Sequence, residues 1–170
     1  MSALSQPLQP WSWLLLPTLV CLFATVILAA PVRFLGFGLP EPVFPMVLAF
    51  AWAVIRPSVL GPFLLLVSGL FLDLFWHGSL GLWAFCLVLV YGAALLVRSL
   101  MVGQSMRVLW GWYTLFTVVA FGVAFMFVVS DAHAMPNLFN TGWQMLLTIL
   151  LFPFARRLIE QFEDADIRFR

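Results

Sequence analysis

Charged side chains are scarce in this sequence. Eight basic and seven acidic residues stand among 170, every basic residue is an arginine, and 64% of the residues are hydrophobic. Soluble domains carry about one quarter charged residues, so the composition excludes an ordinary soluble domain and predicts an integral membrane protein. We expect no nucleic-acid partner.

Cysteines and catalytic motifs are also few. Cys21 and Cys86 both fall within apolar runs, where thiols behave as small hydrophobes, and they match no disulfide or metal-ligand spacing. The sequence has no serine beside a plausible base, no glycine-rich phosphate loop and no nucleophile motif. We therefore expect a protein that is not an enzyme and that needs no cofactor or metal.

Six runs without any charge divide the chain. A transmembrane helix needs about 20 mostly apolar residues, with about 17 to 25 tolerated, and only the second and third runs are short for this purpose. The prediction is an all-α, six-helix transmembrane bundle over residues 1–155 and a short cytoplasmic tail over residues 156–170. The runs are residues 1–32, 42–55, 57–72, 74–97, 108–130 and 132–155.

The N-terminal run has a competing interpretation as a signal peptide. Residues 1–9 carry no positive charge, and Pro31 stands where cleavage after Ala30 would have to occur. We expect this run to remain as the first helix.

The arginines predict the orientation of the bundle by the positive-inside rule. Arg98 and Arg107 bracket the fourth loop, and four further arginines follow the last run. Placing both groups in the cytoplasm puts Arg56 inside and Arg33 outside. Seven of the eight arginines are then cytoplasmic, and both termini lie in the cytoplasm.

One acid, Asp73, interrupts the apolar sequence between the third and fourth runs. A central Asp costs roughly 2.5 to 3.5 kcal/mol on insertion scales, so such a residue is usually buried against a partner group. If the third helix continues through it, Gly69, Asp73 and His77 share one helix face. Gly69 would then allow a neighbouring helix to approach closely, and Asp73 could bond to His77 or to an arginine.

The alternative is that Asp73 ends the third helix near the outer interface, with His77 beyond it in a turn. Its role would then be structural, capping the fourth helix or fixing the turn from Gly78 to Gly81. Ser79 is a plausible N-cap for that fourth helix. A second acid and imidazole pair, Asp131 and His133, is expected to be solvated in the last external loop.

The C-terminal tail has helical periodicity. Leu158, Phe162, Ala165 and Phe169 fall on one side, opposite acidic residues. Arg156 and Arg157, at the membrane exit, are expected to meet anionic lipid at about 1 kcal/mol each. The tail is either a polar extension that anchors the last helix or a docking helix for a cytoplasmic protein.

Two stretches resemble the rod shape-determining protein MreD family. They read LPEPVFPMVLAFAWAVIRP, over residues 39–57, and GLFLDLFWHGSLG, over residues 69–81. The family's prolines flanking the second helix, its short arginine- or proline-containing turn, its Asp-Leu pair and its glycine-bounded turn match residues here. Those residues are Pro42, Pro45, Arg56, Pro57, Asp73, Leu74, Gly78 and Gly81. Trp76 and His77 depart from the family pattern, so no role passes to His77.

The resemblance implies a bacterial inner-membrane protein of the cell-elongation machinery. Its partners would be an MreC-like bitopic protein, MreB-like actin filaments, a RodA-type glycosyltransferase and a penicillin-binding transpeptidase. The family also resembles the substrate-binding membrane subunits of energy-coupling-factor vitamin transporters, which share a six-helix design, although a shared fold does not determine function.

Two functions follow as expectations. The first is a membrane scaffold without catalytic activity, in which Asp73 organises a turn or a partner contact. The second is a small-ligand uptake subunit, with an outward-facing pocket built on Asp73, His77, Asp131 and His133.

Overall fold

The computed structural model describes residues 14–28, 33–34, 37–38, 41–55, 57–132 and 137–167, and these form a predominantly helical chain. Two short strands, β1 (Arg33–Phe34) and β2 (Phe37–Gly38), pair antiparallel between the first two helices. The helices are α1 (Leu16–Leu28), α2 (Pro45–Ile55), α3 (Leu60–Phe75), α4 (Leu82–Leu96), α5 (Arg98–Met101), α6 (Met106–Ala132), α7 (Leu138–Leu150) and α8 (Phe152–Ile167).

The prediction of an all-helical architecture is confirmed, and each charge-free run contains one principal helix, the last run being divided into α7 and α8. Two segments of the described chain are long and apolar enough to cross a membrane, Met106–Ser130 and Leu138–Glu160. The helices of the first four runs are also apolar but have fewer than 18 residues. Helix α8 continues through residues 155 and 156, so the predicted boundary of the tail lies inside a helix.

Helix α2 lies at the centre of the fold. Every residue from Pro45 to Val54 is buried, and α2 packs against α1, α3, α4 and α8. A helix that is apolar on all sides is stable in a protein core or in lipid, and α2 lies in the core. At 11 residues its length is about 16 Å, which accounts for the shortness of the second run: α2 is a core element enclosed by the other helices.

A proline divides the last long segment into α7 and α8. Pro153 has no backbone N–H and its ring crowds the preceding turn, and the chain turns at Leu151. The carbonyl oxygen of Thr148 accepts hydrogen bonds from the backbone nitrogen of Leu151 at 3.1 Å and from the buried hydroxyl of Tyr113 at 2.8 Å. Helix α6 therefore stabilises the break.

The outer surface of the helices is apolar. Large hydrophobic side chains are exposed along α1, α3 and α6, including Phe23 at 67% and Met126 at 72%. Of the 18 most apolar consecutive residues in Met106–Ser130, only 33% are buried, and of those in Leu138–Glu160 only 22% are buried. These helices thus present apolar residues outward as well as toward the core.

Candidate functional site at the turn between α3 and α4

Asp73 lies in the last turn of α3 with 1% of its surface exposed. Its Oδ2 accepts a hydrogen bond from the backbone nitrogen of Gly81 at 2.9 Å, and its Oδ1 accepts one from that of Trp83, also at 2.9 Å. The first N–H groups of a helix have no partner within the helix, and a negative charge is stabilised there. Asp73 therefore caps the N-terminus of α4 from the preceding helix.

The backbone of the turn brings these groups together. The nitrogen of Gly78 donates to the carbonyl oxygen of Asp73 at 3.0 Å. Gly81, which immediately precedes α4, has φ of 91°, a left-handed conformation that glycine adopts without steric cost. Both the main chain and the side chain of Asp73 thus bind the turn.

Gly69 lies where α3 and α4 touch. A Cβ atom at this position would overlap the backbone of Ala84 and would stand 2.7 Å from the carbonyl carbon of Trp83. The close helix approach expected at Gly69 is therefore present. It places the start of α4 directly against the face of α3 that carries Asp73, one turn away.

Of the two arrangements predicted for this turn, the structure has the one in which Asp73 lies at the end of α3 and caps α4, with His77 beyond the helix. The other arrangement and the predicted N-cap are wrong. His77 does not continue the helix face of Gly69 and Asp73, because α3 ends at Phe75 and His77 is exposed in the turn with φ of 53°. The N-cap residue of α4 is Gly81 and not Ser79. Within the described chain, the expected bond from Asp73 to His77 or to an arginine is replaced by backbone N–H groups of residues 81 and 83.

A second polar group joins three segments at the same end of the fold, called the turn end from here on. The indole nitrogen of Trp76 donates to Oε2 of Glu41 at 3.0 Å, and Nε2 of Gln144 donates to the carbonyl oxygen of Glu41 at 2.8 Å. One turn along α7, the hydroxyl of Thr148 accepts from the nitrogen of Val43 at 3.1 Å. The sequence does not predict this set of polar contacts, although Gln144 is an isolated amide in an apolar run.

The opposite end of the fold, the arginine end, is organised by Arg98. Its guanidinium donates to the carbonyl oxygens of Val54 at 3.1 Å and Ile55 at 3.4 Å. These are terminal carbonyls of α2, where a cation is favoured. The sequence predicts Arg98 only as a charge in a cytoplasmic loop. The carbonyl groups that it caps are distant in the sequence, so no local pattern around Arg98 predicts this contact.

The hairpin between α2 and α3 is fixed by Tyr91 of α4. The hydroxyl of Tyr91 accepts from the nitrogen of Ser58 at 3.2 Å and donates to the carbonyl oxygen of Ser58 at 3.1 Å. Pro57 is exposed immediately before this residue. The candidate residue Arg56 lies outside the described residues.

The candidate residues of the tail lie on α8. Arg156 and Glu160 form an exposed ion pair at 2.7 Å, and Arg157 is exposed beside them. Leu158 is half-buried against the core, while the side chain of Phe162 lies outside the described part of the chain. Ala155 and Ile159 are deeply buried on the same helix, and Leu158 is the one residue of the predicted apolar stripe whose side chain is described.

A pocket of about 160 Å³ opens at the turn end. Asp73 and His77 do not line it, so it is not the pocket predicted on these two side chains. The side chain of Asp131 and the whole of His133 lie outside the described residues. No group of metal-binding side chains occurs among the residues described. The pocket is lined by Trp76, Gly78, Ser79, Leu82, Trp83, Phe121, Ala124, Phe125, Val128, Thr141 and Gln144.

Comparison with known proteins gives no family for this chain. No family model, no curated protein and no solved structure matches it.

Proposed function

We propose that this protein is an integral membrane scaffold of the bacterial cell-elongation machinery, of the MreD type. In this proposal six helical segments lie in the inner membrane and both termini face the cytoplasm. The protein binds an MreC-like bitopic partner and connects MreB-like filaments with a RodA-type glycosyltransferase and its transpeptidase.

The apolar exterior supports a membrane location. A soluble monomer rarely exposes contiguous apolar patches beyond a few hundred Å², whereas α1, α3 and α6 expose large hydrophobic residues along their lengths. Lipid chains solvate such side chains without cost. Arg98 lies at the arginine end, and Phe152, four residues before Arg156, stacks on Trp110 near the start of α6. These arginines support a cytoplasmic location for that end.

The observation that carries the proposed function is that three of the residues on which the resemblance rests, Asp73, Gly78 and Gly81, belong to one structural unit. The acid at position 73, the turn to Gly81 and the start of α4 form one hydrogen-bonded unit. This arrangement gives a physical reason for the sequence pattern, in which an acid is followed by a turn with glycine at each end. The unit uses the acid as a cap, which suits a rigid scaffold better than a catalytic centre.

The pocket bears on the alternative, a transporter subunit that binds a vitamin-sized ligand. Ligand pockets for such molecules span about 300 to 1,000 Å³, and the pocket at the turn end measures about 160 Å³. Its size favours the scaffold over the transporter subunit.

Depletion of the protein in its own bacterium tests the scaffold. We expect rod-shaped cells to become round and sidewall peptidoglycan synthesis to fall, with rescue by the wild-type gene. Crosslinking in cells followed by purification in mild detergent should recover a bitopic protein together with wall synthases. Unchanged shape and wall synthesis would refute the scaffold, and recovery of ATP-binding-cassette subunits would identify the transporter instead.

A further inference from the structure

The pocket at the turn end has walls of two kinds. Trp76, Trp83 and Phe121 form an aromatic wall, with ring centroids 5.6 Å apart for the first pair and 5.4 Å apart for the second. Both pairs meet edge to face, with interplanar angles of 73° and 71°. Aromatic rings favour this geometry because their edges are positive and their faces negative. A further aromatic ring inserted into the pocket would contact both the edges and the faces of these three side chains.

Polar atoms of α7 form the other wall. The hydroxyl of Thr141 donates to the carbonyl oxygen of Asn137 at 3.2 Å, and the amide nitrogen of Gln144 donates to Glu41 at 2.8 Å. Thr141 uses its hydroxyl hydrogen and Gln144 one of its two amide hydrogens on the protein, which leaves two oxygen acceptors and one N–H donor for a group in the pocket. The ligand that suits this wall is therefore a hydrogen-bond donor.

The size and charge of the pocket restrict the ligand further. A cavity of about 150 Å³ accommodates benzene, and this pocket measures about 160 Å³. The residues that line it include no charged side chain, so an ionised ligand would lose its hydration without a counter-ion. One neutral aromatic ring that carries an O–H or N–H group fits these conditions.

We infer that the pocket is an anchor site for a single tyrosine side chain of a partner protein at the membrane interface. This inference rests on the proposed scaffold function, which requires a partner polypeptide. Tyrosine is enriched at membrane interfaces and in the energetic centres of protein interfaces. The phenol ring would lie against Trp76 and Trp83, and its O–H would donate to Thr141 or Gln144.

Small aromatic probes test the chemistry of the pocket directly. Full-length protein in nanodiscs would be titrated with 4-fluorophenol, fluorobenzene and 4-fluorobenzoate, and binding followed by ¹⁹F relaxation. Two variants of α6 separate the pocket from partition into lipid: Ala124→Leu fills the pocket, and Gly122→Leu adds bulk at an exposed position with open space around it.

We expect 4-fluorophenol to bind at least fivefold more tightly than fluorobenzene and 4-fluorobenzoate to show no saturable binding. Ala124→Leu should weaken the phenol by tenfold or more, and Gly122→Leu should leave it unchanged. Equal binding of phenol and fluorobenzene, or equal binding to wild type and Ala124→Leu, would overturn the inference.

The occupant is identified by photocrosslinking in cells. With p-benzoylphenylalanine at Val128, on the pocket lining, the expected adduct is a peptide of a membrane protein within three residues of a tyrosine. An adduct to phospholipid, or only to peptides without such a residue, would overturn the inference. Replacement of that aromatic residue by leucine should remove the adduct.

The two proposals fail in different ways. If depletion changes cell shape but Ala124→Leu retains both normal shape and the crosslinked partner, the anchor site is wrong and the scaffold stands. If depletion leaves shape and wall synthesis unchanged, the scaffold is wrong whatever the probes show.

Discussion

Asp73 and Trp83 are joined by a hydrogen bond of 2.9 Å between a carboxylate oxygen and a backbone nitrogen. The bond connects the last turn of α3 to the first turn of α4, so Asp73 holds the two helices together as a hairpin. A carboxylate with 1% exposure is retained because helix-terminal N–H groups would otherwise be buried without acceptors.

Replacement of Asp73 should therefore destabilise the hairpin in proportion to the acceptors removed. An unsatisfied buried donor costs about 1 to 3 kcal/mol. Asp73→Leu, which strands two donors, should lower the free energy of unfolding by about 2 to 6 kcal/mol, and Asp73→Asn, which keeps one acceptor oxygen, by about half as much. Thermal unfolding in detergent micelles measures both.

The control for Asp73 is its neighbour Leu74, which is 64% exposed. Leu74→Ala should shift the unfolding midpoint far less than Asp73→Leu. An Asp73→Leu protein with wild-type thermal stability would show that the cap contributes nothing.

Gly69 and Gly122 provide a matched pair of helical glycines. A methyl group at Gly69 would overlap the Ala84 backbone, whereas one at Gly122 would meet nothing within 4 Å. Gly69→Ala should thus force α3 and α4 apart and destabilise the protein by about 1 to 3 kcal/mol or more. Gly122→Ala should be neutral or stabilising by up to about 1 kcal/mol.

The same thermal unfolding measurement distinguishes the two glycine variants. Equal shifts for Gly69→Ala and Gly122→Ala would contradict the close approach of α3 and α4. A double variant, Gly69→Ala with Asp73→Asn, should show a non-additive loss because both residues hold the start of α4.

Arg98 gives a third prediction. Hydrogen bonds to charged groups contribute about 1.5 to 3 kcal/mol, so Arg98→Met should destabilise the protein by that order by leaving the terminal carbonyls of α2 without their donor. Arg98→Lys should retain part of this because it keeps the charge but not the planar fork. Arg157→Met, at an exposed position, is the control, and a loss as large as that of Arg98→Met would disprove the specific cap.

The sequence predicts the parts of this fold that depend on local periodicity and composition. The charge-free runs locate the helices, and the spacing of Gly69 and Asp73 predicts their common face. What escapes prediction depends on distant pairing. Arg98 caps the C-terminus of α2 and Gln144 binds the segment before α2, and both stand 43 or more residues from the groups they bind.

The error at His77 has a different origin. A spacing of four residues indicates a common face only while the helix continues, and α3 ends at Phe75. The glycines at 78 and 81 favour a turn, but the side chain that stabilises it is Asp73 on the preceding helix. The sequence offers both Asp73 and Ser79 as caps of α4, and it is the acid, eight residues before Gly81, that accepts from the Gly81 nitrogen.

The last prediction concerns the sides of the membrane. Leu80 is 71% exposed at the turn end, and Gln104 is exposed in the loop between α5 and α6, which the arginines Arg98 and Arg107 flank. With Cys21 and Cys86 replaced by alanine, a single cysteine at position 80 should react in intact cells with a maleimide that cannot cross the inner membrane. A cysteine at position 104 should react only after the membrane is opened, because the positive-inside rule places that loop in the cytoplasm. Labelling of both positions after permeabilisation controls for expression and access.

The reverse labelling pattern would invert the bundle and move the anchor pocket to the cytoplasmic side. Labelling of both positions in intact cells would place the two ends of α4 on the same face of the membrane and contradict a spanning hairpin.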